Sequence, residues 1–107
     1  MIHGLIFDDE VKILEKRVVI TGVGVISPVG MGKDEFWNAL LSGKNGIGPI
    51  THFDATEYGA RIAGEVKDFD PAAFGIDKKE ARHMDPSTQY AVAAAKLALE
   101  DSKMNLD

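Results

Sequence analysis

Residues 17–30 read RVVITGVGVISPVG, and this stretch decides which fold the rest of the chain can join. The β-branched run at 18–20 is typical of a strand that is covered on both faces. It ends at Gly22 and Gly24, a glycine pair that also begins many dinucleotide-binding loops. We therefore predict a strand over 17–24, followed by a loop whose kind the next residues decide.

The residues after the glycine pair argue against a dinucleotide-binding loop. Such a loop needs a third glycine three residues after the second and an immediate entry into a helix. Here Ser27 occupies the third-glycine position, and Pro28 biases that serine toward extended backbone. The glycines are better explained by close packing of the strand end against a neighbouring element.

The rest of the chain alternates helical and strand-like patterns, which indicates an α/β protein. Residues 33–42 carry an apolar stripe with acidic residues in the first turn, as expected of an amphipathic helix. Later segments predict a short strand in 61–69, one helical turn in DPAAFG, and a long, mostly buried helix over 86–101.

The segment DKKEARHMD, residues 77–85, is the locally basic part of an acidic chain. If it is helical, its basic residues lie on one face. These residues are Lys78, Lys79, Arg82 and His83. The sequence alone slightly favours an ordinary solvated face, offset by the acidic residues of the same segment, over a binding patch.

Composition limits the classes of function. The 107 residues carry a net charge of −5 and no cysteine, so the chain has no general attraction for nucleic acid and no thiolate metal site or cysteine nucleophile. No stretch is apolar enough to span a bilayer, and Asp8, Asp9 and Glu10 stand where a signal peptide needs its apolar centre. We therefore predict a cytoplasmic protein without a nucleic-acid or membrane partner.

The order of these motifs resembles the N-terminal portion of the β-ketoacyl-acyl-carrier-protein synthase family, most closely its type II members of bacterial fatty-acid synthesis. The resemblance runs from Lys16 to Asp107 through RVVITGVGVISPVG, FWNALLSGKNGIGPIT, AGEVKDF, KKEARHMD and TQYAVAAAKLALEDS. It implies the N-terminal part of a thiolase-like layered α-β-α-β-α fold, truncated. Residues 16–107 would be an incomplete domain of that fold, and residues 1–15 an extension with no assigned role.

The resemblance implies an acyltransferase of fatty-acid biosynthesis. In the family, a cysteine accepts an acyl chain from acyl carrier protein, and two histidines assist decarboxylation of malonyl-carrier protein. The resulting carbanion attacks the acyl thioester. No metal or organic cofactor is implied, and the family forms homodimers. None of His3, His52 and His83 matches a catalytic histidine, so we expect a part of a longer gene product that is inactive alone.

The resemblance also favours the interpretation of the basic segment as a binding patch over its interpretation as an ordinary solvated face. In the family, basic residues on the short helix before the long one help to dock acyl carrier protein, which is acidic. The resemblance matches Lys79 and Arg82 to them, with Lys78 and His83 beside them. His83 stands where a permanent cation is usual, so this docking patch would be weaker near neutral pH. Two alternatives remain open: a non-catalytic module that binds acyl carrier protein, and a cofactor-binding α/β domain.

Overall fold

The computed structural model of the chain describes residues 16–107. Within them, two antiparallel sheets of two strands each stand beside three α-helices and a 3-10 turn. The strands are β1 (Ile26–Ser27) paired with β2 (Gly30–Met31), and β3 (Ile47–Pro49) paired with β4 (Ile62–Gly64). The helical elements are α1 (Lys33–Leu41), the 3-10 turn (Pro71–Phe74), α2 (Lys78–Ala81) and α3 (Pro86–Ser102). The extension predicted at 1–15 lies outside the described residues.

The three helical predictions are confirmed, because each rests on local signals. α1 begins with Asp34 and Glu35 in its first turn, where the helix dipole favours negative charge, and Gly43 follows it with a positive φ of 71°. The 3-10 turn begins at Asp70, whose carboxylate accepts a hydrogen bond from the Ala72 N–H. α3 starts in the same way at Asp85, so both starts combine an aspartate cap with a proline in the first turn.

The predicted strand over 17–24 is wrong as a paired element. No residue of 17–25 belongs to a sheet, and the first ladder starts at Ile26. A strand needs a neighbour to bond its backbone, and the part of the chain that the structure describes places none beside this segment. The β-branched side chains are therefore uncovered, with Val18 95% and Ile20 87% exposed.

The predicted strand in 61–69 is shorter than expected. Pairing covers only β4, with Gly48 opposite Ala63, and the Ile50 N–H adds one further hydrogen bond to the Arg61 carbonyl oxygen. Farther along, Asp68 adopts a left-handed φ of 55°, which extended backbone cannot contain. The chain therefore turns there and leads into the 3-10 turn.

The two glycines of the opening segment pack directly on α3. A Cβ atom added at Gly22 would lie 2.3 Å from the Ala98 carbonyl oxygen, and one added at Gly24 would lie 2.0 Å from that of Ala94. Ala94 and Ala98 are one helical turn apart, so the segment lies along a face of small residues. This confirms the interpretation of the glycines as a close-packing device.

α3 is less buried than its pattern predicts. Ala93 is fully buried, but Ala95 is exposed and Leu99 is 42% exposed. One face of the helix meets the glycine segment, and Tyr90 packs edge-to-face on Phe69 at 4.9 Å between ring centroids. The opposite face has no cover among the described residues, which agrees with a piece of a layered fold.

Asp101 joins three elements near the C-terminal end of α3. Its Oδ2 accepts a hydrogen bond from the Val23 N–H at 3.0 Å, and its Oδ1 forms an ion pair with Lys33 at the start of α1. The hydrogen bond from Lys33, followed by that from Val23, lowers the pKa of the Asp101 carboxyl below its usual value. The same ion pair raises the pKa of Lys33.

This contact predicts an acid-dependent stability that Asp101→Asn should remove. Because the folded-state pKa of Asp101 is below the unfolded value of about 3.9, the contribution is present above that pH and is lost as pH falls through the folded-state pKa. We expect the difference in melting temperature between the wild type and Asp101→Asn to shrink as pH falls from about 6 to about 3. A difference that stays constant across this range would contradict the role of the ion pair.

Candidate functional site

The basic segment forms a helix of four residues whose winding continues into the next turn. The Ala81 N–H donates to the Asp77 carbonyl oxygen at 2.8 Å, and the Arg82 N–H donates to that of Lys78 at 3.2 Å. The winding then tightens to bonds that span three residues, as the Met84 N–H donates to the Ala81 carbonyl oxygen at 3.1 Å. The whole of 78–84 therefore turns helically, although α2 itself ends at Ala81.

This winding separates apolar from basic side chains. Ala81 and Met84 point inward and are half-buried. The side chains predicted for docking are all exposed and form one surface, called here the basic face: Lys78, Lys79, Arg82 and His83. The structure therefore brings these four residues together, and whether a partner uses them remains a prediction.

The cations of the basic face are available to a partner. Across residues 16–107, the ion pairs join Lys33 to Asp101 and His52 to Glu65, so no member of the basic face is held in one. An acidic partner would therefore not have to break an ion pair formed within residues 16–107.

The nearby Asp85 carboxylate caps the N-terminal end of α3. It accepts hydrogen bonds from the Thr88 N–H at 2.8 Å and from the Ser87 hydroxyl at 2.9 Å. The bonds from Thr88, followed by the one from Ser87, lower the pKa of the Asp85 carboxyl. One of the acidic residues expected to offset the basic face thus serves as a helix cap.

Two residues of α3 fix the position of α2, and the sequence analysis did not identify either. The Gln89 side-chain amide donates to the carbonyl oxygens of Ala81, at 3.0 Å, and Met84, at 3.1 Å. The Lys96 ammonium group donates to the Gly75 carbonyl oxygen at 2.7 Å. The Lys96 bond spans 21 residues, and the Gln89 bonds, which span 8 and 5 residues, cross the break between α2 and α3, so no helical period could reveal them.

His52 belongs to a different cluster, centred on Glu65. That carboxylate accepts hydrogen bonds from the N–H groups of Thr51 and His52, from the Thr51 hydroxyl, and lies 3.4 Å from the His52 Nδ1. Burial opposes ionisation of Glu65, but the hydrogen bonds from Thr51 and His52 outweigh it and lower the pKa of the carboxyl. These contacts tie the loop after β3 to the residue after β4, which is a structural role.

The remaining polar groups offer little for a cofactor or for catalysis. The described residues contain no group of three potential metal ligands. A cleft of about 500 Å³ lies beside Asp101, but it is open and its Lys33 is already paired. A pyrophosphate could not approach Gly22 and Gly24, because carbonyl oxygens of α3 lie against them. This packing argues against the cofactor-binding alternative. Among the described helices, none is long and apolar enough to cross a membrane.

Comparisons with known proteins give one consistent result. The family model "Beta-ketoacyl synthase, N-terminal domain" matches residues 15–107. The chain is 49% identical over 90 residues to "3-oxoacyl-[acyl-carrier-protein] synthase 2" of Synechocystis sp., which covers 84% of this chain and 21% of that protein. It is 49% identical over 92 residues to the protein of the same name from Vibrio harveyi, covering 86% and 22% of the two chains.

A solved structure agrees with the sequence matches. "The ishigamide ketosynthase/chain length factor" superposes with a TM-score of 0.73 and 41% identity, over 81% of this chain and 21% of that one. The chain thus spans about a fifth of the length of the relatives it matches, at 21% of the first.

Proposed function

The chain belongs to the β-ketoacyl synthase family, and on that premise we propose that it takes part in elongation of acyl chains as the N-terminal region of a 3-oxoacyl-acyl-carrier-protein synthase. The family resemblance and the thiolase-like α/β fold predicted from the sequence are both confirmed. The reaction we propose for the longer protein is a decarboxylative Claisen condensation of an acyl thioester with malonyl-carrier protein.

The described residues supply scaffold and docking surface to this reaction, and the chemistry comes from elsewhere in the longer protein. Acyl transfer in this proposal needs a cysteine thiolate, and the 107 residues contain no cysteine. His52 lies against the Glu65 carboxylate and holds its loop, whereas His83 is exposed in the turn after α2. We therefore assign no catalytic residue within this chain, and no cofactor or metal.

The proposed partner is acyl carrier protein, in its acyl-loaded and malonyl-loaded forms. The single observation that carries this is the basic face, on which three permanent cations and His83 are exposed outside any ion pair of the described residues. Complementary charge of this kind speeds encounter and fixes orientation. The names of the relatives support the same partner, since both are called 3-oxoacyl-[acyl-carrier-protein] synthase 2. We also propose that the longer protein is a cytoplasmic homodimer.

Reversing two charges of the basic face should weaken docking. We expect Lys79→Glu combined with Arg82→Glu to reduce the binding free energy for acyl carrier protein by about 1 to 3 kcal/mol, mainly through the association rate. The effect should diminish as salt is added, because both side chains are exposed. Stopped-flow fluorescence with labelled acyl carrier protein at several salt concentrations measures both quantities.

A matched control reverses two other exposed lysines, Lys44 and Lys67, which lie outside the basic face. This control changes net charge by the same amount and should change the association rate far less. Equal effects of the two double reversals would mean that only net charge matters, and the basic face would then be an ordinary solvated surface.

The chain alone should carry out no chemistry. We expect intact-mass analysis to find no acyl adduct after incubation with acyl-loaded carrier protein, because no cysteine is present to accept the chain. Carbon dioxide release from malonyl-carrier protein should equal that of buffer. A covalent acyl-protein would overturn this assignment. Docking without chemistry is expected both of this proposal and of a non-catalytic binding module.

A further inference from the structure

We infer that Gln89 is a positioning residue for the basic face: its side-chain amide holds the C-terminal turn of α2 in the conformation that a partner recognises. This inference rests on the proposed docking function, and it assigns a role to a residue that lies on a different helix from the docking cations. The helix that Gln89 supports, α2, is only four residues long.

A helix of four residues has almost no stability of its own. Helix formation has an unfavourable nucleation step, and isolated helices shorter than about 12 residues are marginal in water. α2 also lacks a side-chain cap at its start, because Asp77 makes no capping hydrogen bond. Its order must therefore come from contacts with the rest of the chain.

The N-terminal end of α2 is held by two contacts. Ile76, two residues before the helix, is 1% exposed and is the largest fully buried side chain among the described residues. The Lys96 ammonium group bonds the preceding Gly75 carbonyl oxygen. These contacts fix where the helix begins, and they leave its other end, which carries Arg82 and His83, to be held separately.

The C-terminal end of α2 is held by Gln89. The Ala81 carbonyl oxygen already accepts a hydrogen bond from the Met84 N–H, and a carbonyl oxygen can accept a second one from a side-chain donor. Gln89 donates to the carbonyl oxygens of Ala81 and Met84, which stand on either side of Arg82 and His83. Both partners are acceptors, so the side-chain nitrogen must face them, and its two N–H groups are both used.

Gln89 does not contribute charge or contact to the basic face itself. It is half-buried, and its backbone N–H bonds the Asp85 carbonyl oxygen within α3. Its effect on docking would therefore act through the population of ordered α2. For a partner that recognises only the ordered form, the apparent dissociation constant equals the intrinsic dissociation constant divided by the populated fraction of ordered α2.

The test replaces Gln89 with methionine, which keeps side-chain length and removes both donors. We expect the amide protons of His83 and Met84 to exchange about threefold to tenfold faster, as loss of a hydrogen bond predicts. Docking of acyl carrier protein should weaken by the factor by which the ordered fraction of α2 falls, which the protection of the same amides gives, with an unchanged dependence on salt because no charge has been altered. The double reversal of Lys79 and Arg82 differs here, since it reduces the salt dependence.

The control is Glu100→Gln, at an exposed position about three turns farther along α3. It should change neither amide exchange in α2 nor docking. If Gln89→Met does not fold, Gln89→Asn gives the same test, because the shortened amide cannot reach both carbonyl oxygens.

Unchanged exchange at His83 and Met84 in Gln89→Met would overturn the positioning role, whatever happens to docking. Docking that does not follow the ordered fraction given by the amide protection would also overturn it. If the charge reversal of Lys79 and Arg82 leaves docking intact, the proposed partner is wrong, and that result is separate from the outcome at Gln89.

Discussion

The structure depends on one close contact between backbone and backbone. Gly22 and Gly24 bring the opening segment onto α3 so closely that a single added carbon atom at either position would overlap a carbonyl oxygen of Ala94 or Ala98. At both glycines the nearest atoms are backbone atoms of α3, and the Leu97 Cβ also lies beside Gly24. Because protein interiors are packed to nearly crystalline density, a contact of this kind permits very little adjustment.

α3 connects this contact to the rest of the described chain. Near its C-terminal end, Asp101 binds the Val23 N–H and Lys33, which places the start of α1 beside the glycine segment. Near its N-terminal end, Gln89 holds the last turn of α2 and so positions the basic face. One helix thus organises both the packing of the opening segment and the surface proposed to dock a partner. A displacement of α3 at one end would therefore also displace the contacts at its other end.

Local signals predicted local structure well, and elements that need distant partners were predicted poorly. Asp85 followed by Pro86 marked the start of α3 because a cap and a proline act within one turn. The helical winding of 78–84, on which the one-face prediction for the basic residues depends, is likewise set within one or two turns. The prediction of a strand over 17–24 was wrong because a strand must pair with a neighbouring strand, and β-branched residues do not by themselves supply that neighbour. The Asp101 contact could not be predicted, since its bond to Val23 spans 78 positions of sequence. The Gln89 bonds are shorter in sequence, but they cross the break between α2 and α3, where no periodic pattern applies.

The measurement that tests this account most directly is the thermal unfolding of Gly24→Ala against Gly48→Ala. At Gly48, an added Cβ meets nothing within 4 Å, and the φ angle is not positive, so the control should change stability by less than about 1 kcal/mol. At Gly24, the Cβ meets a backbone oxygen that cannot move without moving α3, so the account predicts a loss of about 2 kcal/mol or more. Equal melting temperatures for the two variants would contradict the claim that this contact organises the fold.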